Sequence, residues 1–298
     1  IMDGGALLNQ SSHFIDLALW LLGPVDNVSA FNDTLARRIE TEDSSTINLR
    51  FKSGALGSIN TTILTYPKNY EKGKKYPIIL QIHGGPAGVF SERFSGRPGI
   101  YMTEYFAEKG YATIKPNPRG STGYGKDFRY ANYRDWGYGD FNDVTSGVDK
   151  VIEMGIADKN RQFVMGWSYG GYLTSFVVTK TDRFKAASMG AGLPNLVSMV
   201  TTTDIQDYIV GHMGAEFWDD YDTYEKHSAI YQIKNVVTPT QVIHGEKDSA
   251  ITIDKAEALS KRVPNLYKFL RIKDGPHGPN MTHVQETNNA IIDFMENI

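Results

Sequence analysis

From residue 78 onward the chain alternates short apolar runs with segments of helical spacing, and this alternation limits its fold more than any other feature. The runs at 78–83, 112–116, 162–166, 186–189, 238–244 and 267–272 are apolar on most successive residues rather than on every second one. A strand that is apolar on both faces has to be covered on both, which is the condition of a parallel sheet lying between two layers of helices. Helical spacing at 101–109, 141–153, 170–179, 252–262 and 284–296 supplies those layers. The expected fold class is α/β.

Residues 1–66 follow another pattern. Leu7, Leu8, Phe14, Ile15, Leu17, Leu19 and Leu22 suit a helix that Gly23-Pro24 would end. Residues 25–31, 45–51 and 56–64 alternate loosely at strand period, with a hairpin turn predicted at 52–54. The expectation is a small α+β segment: a helix and an antiparallel sheet. The polar, turn-rich stretch 66–75 marks the boundary, giving units 1–66 and 67–298.

Composition serves mainly to exclude. With 41 % hydrophobic and 22 % charged residues the chain is of ordinary globular make-up, and a formal charge of −3 gives no electrostatic case for nucleic acid or an anionic membrane. It contains no cysteine, which removes disulfides, thiolate metal sites and a cysteine nucleophile, and which fits a cytoplasmic location. The longest apolar run, 14–22, includes Asp16 and is too short to span a bilayer. It has no basic leader or small-residue cleavage site, so no signal peptide is expected. No histidine–carboxylate cluster has ligand spacing and no G-x-G-x-x-G opens a βαβ unit, so neither a metal nor a cofactor is expected.

The chemistry gathers around Gly166-Trp167-Ser168-Tyr169-Gly170, a glycine two residues either side of a serine. An apolar strand precedes it and a helix follows, the setting of a nucleophile elbow in the α/β-hydrolase fold. The flanking glycines are needed because such a serine sits on a strained turn with no space for neighbouring side chains. A serine hydroxyl attacks only when a base takes its proton, and in this fold the acid and then the histidine follow in the chain. Asp248 after the 238–244 run and His277 after the 267–272 run meet that order at the carboxyl ends of parallel strands. Glu246 and His283 are the rivals for those two roles, whereas His244, His212 and His227 are read as structural. The oxyanion requires two backbone donors: Tyr169, next to the nucleophile, and Gly85 in His83-Gly84-Gly85-Pro86.

With these residues in place, the region from about Lys68 resembles the catalytic domain of the prolyl oligopeptidase family, in its acylaminoacyl-peptidase and dipeptidyl-peptidase branches. The matching stretches are 74–77, 83–86, 116–125, 166–172, 203–205, 244–248 and 277–278. The resemblance implies the triad Ser168, Asp248 and His277, an oxyanion hole of Gly85 and Tyr169, and Trp167, Tyr124, Tyr172 and the 199–209 segment beside the substrate. Members often place Arg or Asn two residues after the acid to hold a substrate carbonyl, and here that residue is Ala250. Members also usually carry an amino-terminal β-propeller that screens substrates by size, for which residues 1–67 are too short. Both departures point to a carboxylesterase on small esters with residual peptidase activity, the alternative being an acylaminoacyl peptidase or oligopeptidase. The expected partner is thus a small ester or a short acyl-peptide.

The front segment is similar to the carboxyl-terminal domain of the glucose–fructose oxidoreductase and inositol dehydrogenase family, on residues 4–16, 23–25 and 54–57. That family's pattern would put a catalytic histidine at His13, but with no dinucleotide fold it would have no hydride carrier to act on. The segment is expected to be a structural remnant, fused to the hydrolase, that packs on it or forms a homo-oligomer.

Overall fold

The computed structural model describes residues 24–33, 44–52, 56–60, 62–91, 99–278 and 282–298. The helix expected before Gly23, with His13 in it, and the 53–54 part of the expected turn lie outside the described residues.

Three strands, β1 (Val25–Asp33), β2 (Ser44–Phe51) and β3 (Leu56–Asn60), form an antiparallel sheet in the order β1-β2-β3. The second sheet is built from β4 (Thr62–Thr65), β5 (Tyr76–Ile82), β6 (Ala112–Pro116), β7 (Ala157–Trp167), β8 (Phe184–Gly190), β9 (Thr240–Gly245) and β10 (Leu266–Ile272). Its order is β10-β9-β8-β7-β5-β6-β4, and every pair is parallel except β4 with β6. The stretch 56–64, expected as one strand, is thus divided between two sheets. Ile63 and Leu64 carry the reason: Ile63 is buried and Leu64 packs on the core beside β6, whose edge would otherwise be open.

Both faces of this sheet are apolar, as the continuous runs require. Ile78, Leu80 and Ile82 of β5 face one core and Ile79 the other, the period-two alternation of a strand. The first core is closed by α3 (Gly139–Glu153), through Val144, Val148 and Val151, and by α4 (Tyr169–Lys180), through Tyr172, Leu173, Phe176 and Val177. The second is closed by Phe106 of α1 (Thr103–Glu108) and by Ile291, Phe294 and Met295 of α9 (Val284–Glu296). Gln81, buried on the second face, is satisfied: it donates to the Tyr101 carbonyl at 2.6 Å and accepts from Thr103 Oγ1 at 3.0 Å.

The remaining described α-helices are α2 (Gly125–Arg129), α5 (Leu196–Thr202), α6 (Gln206–Met213), α7 (Tyr221–Lys226) and α8 (Asp254–Ser260). Among the described residues no helix is long and apolar enough to cross a membrane. Because the strands are parallel, the chain leaves β5, β7, β9 and β10 at the same end of the sheet, and each of these exits carries a residue of the site.

Candidate active site

Ser168 stands between β7 and α4 with φ 60° and ψ −121°, a conformation that side chains rarely adopt. Backbone contacts enforce it. A Cβ on Gly166 would lie 2.3 Å from the Gly170 carbonyl oxygen, and one on Gly170 would lie 2.0 Å from that of Ile82. Only glycine at both positions lets the turn close this tightly, which is the physical content of the motif. The Ser168 N–H donates to the Gly190 carbonyl at 2.9 Å, and the Ser168 carbonyl accepts from the Tyr172 N–H at 2.9 Å. The first turn of α4 leaves its own N–H groups without intrahelical acceptors, and that of Tyr169 is the first of them.

His277 and Asp248 complete a hydrogen-bonded chain to this serine. His277 Nε2 is 3.0 Å from Ser168 Oγ, and Nδ1 is 2.8 Å from Asp248 Oδ2. With Nδ1–H donating to the carboxylate, Nε2 is left as the acceptor of the serine proton. Trp167 secures the histidine from beneath, its indole N–H donating to the His277 carbonyl at 2.8 Å.

Burial of the Asp248 side chain opposes its ionisation, but the donors around it outweigh burial and hold the carboxyl down at about 2. These donors are the His244 and His277 rings and the Ile251 N–H, the last at 2.8 Å from Oδ1. His244 was read from sequence as structural and has a more specific place. Its Nε2 is 2.6 Å from the Ile251 carbonyl and 3.2 Å from Asp248 Oδ2, so it braces the acid.

The 83–90 loop passes beside Ser168. A Cβ on Gly84 would fall 3.2 Å from Ser168 Cβ, and Gly85 has φ 132°, open only to glycine. The 116–125 stretch holds the loop in place. Asn117 exchanges two hydrogen bonds with the Phe90 backbone, at 2.7 and 3.0 Å, and Thr122 Oγ1 donates to the Ala87 carbonyl at 2.8 Å. His83 Nε2 lies 2.9 Å from Ser121 Oγ, while Nδ1 donates to the Gly84 carbonyl at 2.8 Å. Burial pulls this imidazole down to about 4, so it stays neutral near pH 7. Arg119, bidentate on Asp143 at 2.8 and 2.9 Å, ties the same stretch to α3.

The other sequence candidates are dispersed. Glu246 pairs with Arg271 at 3.3 Å, and His283 Nδ1 meets Thr282 Oγ1 at 2.7 Å. His212 and His227 are buried against the Tyr208 and Trp136 carbonyls. Tyr172 is wholly buried, its hydroxyl donating to the His227 carbonyl at 2.8 Å, which makes it a core residue and not a wall of an open pocket. Tyr124 is buried with its hydroxyl accepting from Asn117 at 2.7 Å. A cleft of about 720 Å³ touches His83 and Gly84 and runs between Phe90, Tyr101, Lys115 and Asn288, on the side of α9. Among the described residues no cluster of three or more histidines and carboxylates could hold a metal ion.

The sequence pattern of the prolyl oligopeptidase family matches residues 100–298, and that of the GFO/IDH/MocA C-terminal domain matches residues 1–85. An uncharacterized peptidase, YuxL, of Bacillus subtilis is 33 % identical over 224 residues, covering 74 % of this chain and 33 % of that protein. The acylamino-acid-releasing enzyme of Arabidopsis thaliana is 32 % identical over 237 residues, covering 76 % of this chain and 30 % of that protein. The acylaminoacyl peptidase of Pyrococcus horikoshii superposes with a TM-score of 0.73 at 25 % identity, over 94 % of this chain and 43 % of that one. The chain spans about a third of the length of the curated relatives it matches. The Bacillus and Pyrococcus proteins bear the names of peptidases and the Arabidopsis protein that of an acylamino-acid-releasing enzyme, so the expected preference for small esters finds no support among them. With an α/β-hydrolase sheet and that pattern over 100–298, the chain belongs to the prolyl oligopeptidase family.

Proposed function

We propose that the chain hydrolyses peptide bonds by acyl transfer through Ser168, acting on short or acylated peptides. The observation that carries this is the unbroken Asp248–His277–Ser168 chain, at 2.8 and 3.0 Å, ending on a serine held at φ 60°. Ser168 Oγ attacks the carbonyl carbon as its proton passes to His277 Nε2, and Asp248 stabilises the imidazolium that forms. The negative oxygen is received by the Tyr169 and Gly85 N–H groups. His277 then gives its proton to the departing amine as the carbon–nitrogen bond breaks, leaving an acyl-enzyme. Water, deprotonated by the same imidazole, attacks that ester and releases the acid and free Ser168.

The kinship to acylaminoacyl peptidases favours peptides as substrates. One residue favours the other possibility, ester hydrolysis: Ala250 presents a methyl group and no donor beside the acid. An amide has the poorer leaving group and depends more on precise positioning. A panel of acyl-peptide p-nitroanilides and short p-nitrophenyl esters separates the two. We expect acyl-peptides to be cleaved, with their kcat/KM falling steeply when the acyl group is removed. Turnover of esters alone would contradict peptide hydrolysis.

The match of residues 1–85 to an oxidoreductase domain overlaps β4 and β5, which belong to the hydrolase sheet. We place the boundary between the two units at about residue 61, between β3 and β4, with the front unit in a structural role.

A further inference from the structure

Tyr169 has a side chain whose position its role as an amide donor does not explain. The phenol runs under α4 into the first core, where it is 2 % exposed and packs edge-on against Trp136 at 4.8 Å. Its hydroxyl donates to Oδ2 of Asp140, the second residue of α3 and itself without any exposed surface. Oδ1 of the same carboxyl accepts from the Phe141 N–H at 3.0 Å. A buried carboxyl costs free energy unless both oxygens are satisfied, and a core position in an amphipathic helix would ordinarily be filled by an aliphatic residue.

We propose that Asp140 is a positioning residue for acyl transfer: by anchoring the tip of the Tyr169 side chain, it fixes the direction of the Tyr169 N–H beside Ser168. The inference rests on the assignment of that N–H as an oxyanion donor. Such a donor is effective only when aimed to a fraction of an ångström. Its aim depends on the peptide plane joining Ser168 to Tyr169, where φ of 60° has to be held by its surroundings. On one side Gly170 lies against the end of β5, and Ser168 is tied to Gly190. On the other side, the Asp140–Tyr169 hydrogen bond is a polar restraint on the residue that bears the donor, beside the Asn132 side chain. Burial, with the Asp140 charge adding to it, pushes the Tyr169 phenol well above its usual range, so it keeps its proton, while burial raises the Asp140 carboxyl to about 7.

The test uses Tyr169→Phe, Asp140→Ala, the double variant and Asp140→Asn in the full chain, with turnover measured per site labelled by a fluorophosphonate. Normalising in this way separates misfolding, which lowers the number of labelled sites, from a misaimed donor, which lowers the rate at each. Tyr169→Phe keeps the ring packing and loses only the hydroxyl. We expect Tyr169→Phe and Asp140→Ala each to lower kcat about tenfold with KM within about twofold, and the double variant to be no worse than the poorer single one. Asp140→Asn retains an acceptor oxygen and should restore kcat to within roughly threefold of the parent. An unchanged kcat per labelled site in Tyr169→Phe, or losses that multiply in the double variant, would overturn the proposal. If the parent itself labels and turns over, the nucleophile assignment stands whatever the variants do. A parent that does not label removes both.

Discussion

The Asp248 side chain is shut away from solvent, yet its carboxyl is held down at about 2, because hydrogen bonds from His244 and His277 outweigh the penalty of burial. A carboxyl held below its unfolded value of 3.8 stabilises the fold above that pH, and the contribution disappears as pH falls from about 4 toward about 2. Asp248→Asn should flatten this acid limb in a plot of melting temperature against pH. It should also lower kcat on the order of 10⁴-fold, because the amide no longer fixes the His277 tautomer. An unaltered acid limb would show that the carboxylate is not paired as described. Asp248 and His277 were legible in sequence because chain order and strand ends restrict them. The brace from His244 was less so, since its ring turns back onto the loop that follows its own strand. The resemblance puts Trp167 beside the substrate, and its bond to the His277 carbonyl joins positions 110 residues apart, beyond the reach of local pattern. Asp140 lies in a helix of ordinary amphipathic spacing, and nothing adjacent in sequence announces that its carboxyl is buried.

At the level of elements, strands with continuous apolar runs were legible, and the helices that flank them followed from spacing. The 196–226 stretch was not, because α5, α6 and α7 are each 6 to 8 residues long, too short to establish a helical period. The division of 56–64 was also hidden. Its two halves share strand composition, and only the open edge of β6 decides that β4 joins the second sheet. The consequence is measurable. A chain beginning at Thr62 keeps β4 and should match the parent hydrolase in activity and remain monodisperse in light scattering. A chain beginning at Lys68 exposes the β6 edge and should melt a few degrees lower and self-associate. Equal melting temperatures and equal dispersity would contradict the boundary at about residue 61.

For the molecule as a whole, two patterns meet in one chain: a three-stranded antiparallel sheet in front and a seven-stranded, mostly parallel sheet behind. Their difference was visible in sequence because alternating and continuous apolar strands record one exposed face or none. The site belongs to the second sheet, at the end where its parallel strands release the chain, and its parts converge from loops far apart in sequence. Whether these parts converge on Ser168 can be measured on the intact chain. The full chain is treated with a fluorophosphonate and digested, and the modified residue is located by peptide mass spectrometry. The modification is expected on Ser168, in proportion to lost hydrolytic activity, and Ser168→Ala should take up no label and lose at least about 10³-fold in kcat. Label on another residue, or hydrolysis persisting in Ser168→Ala, would contradict it.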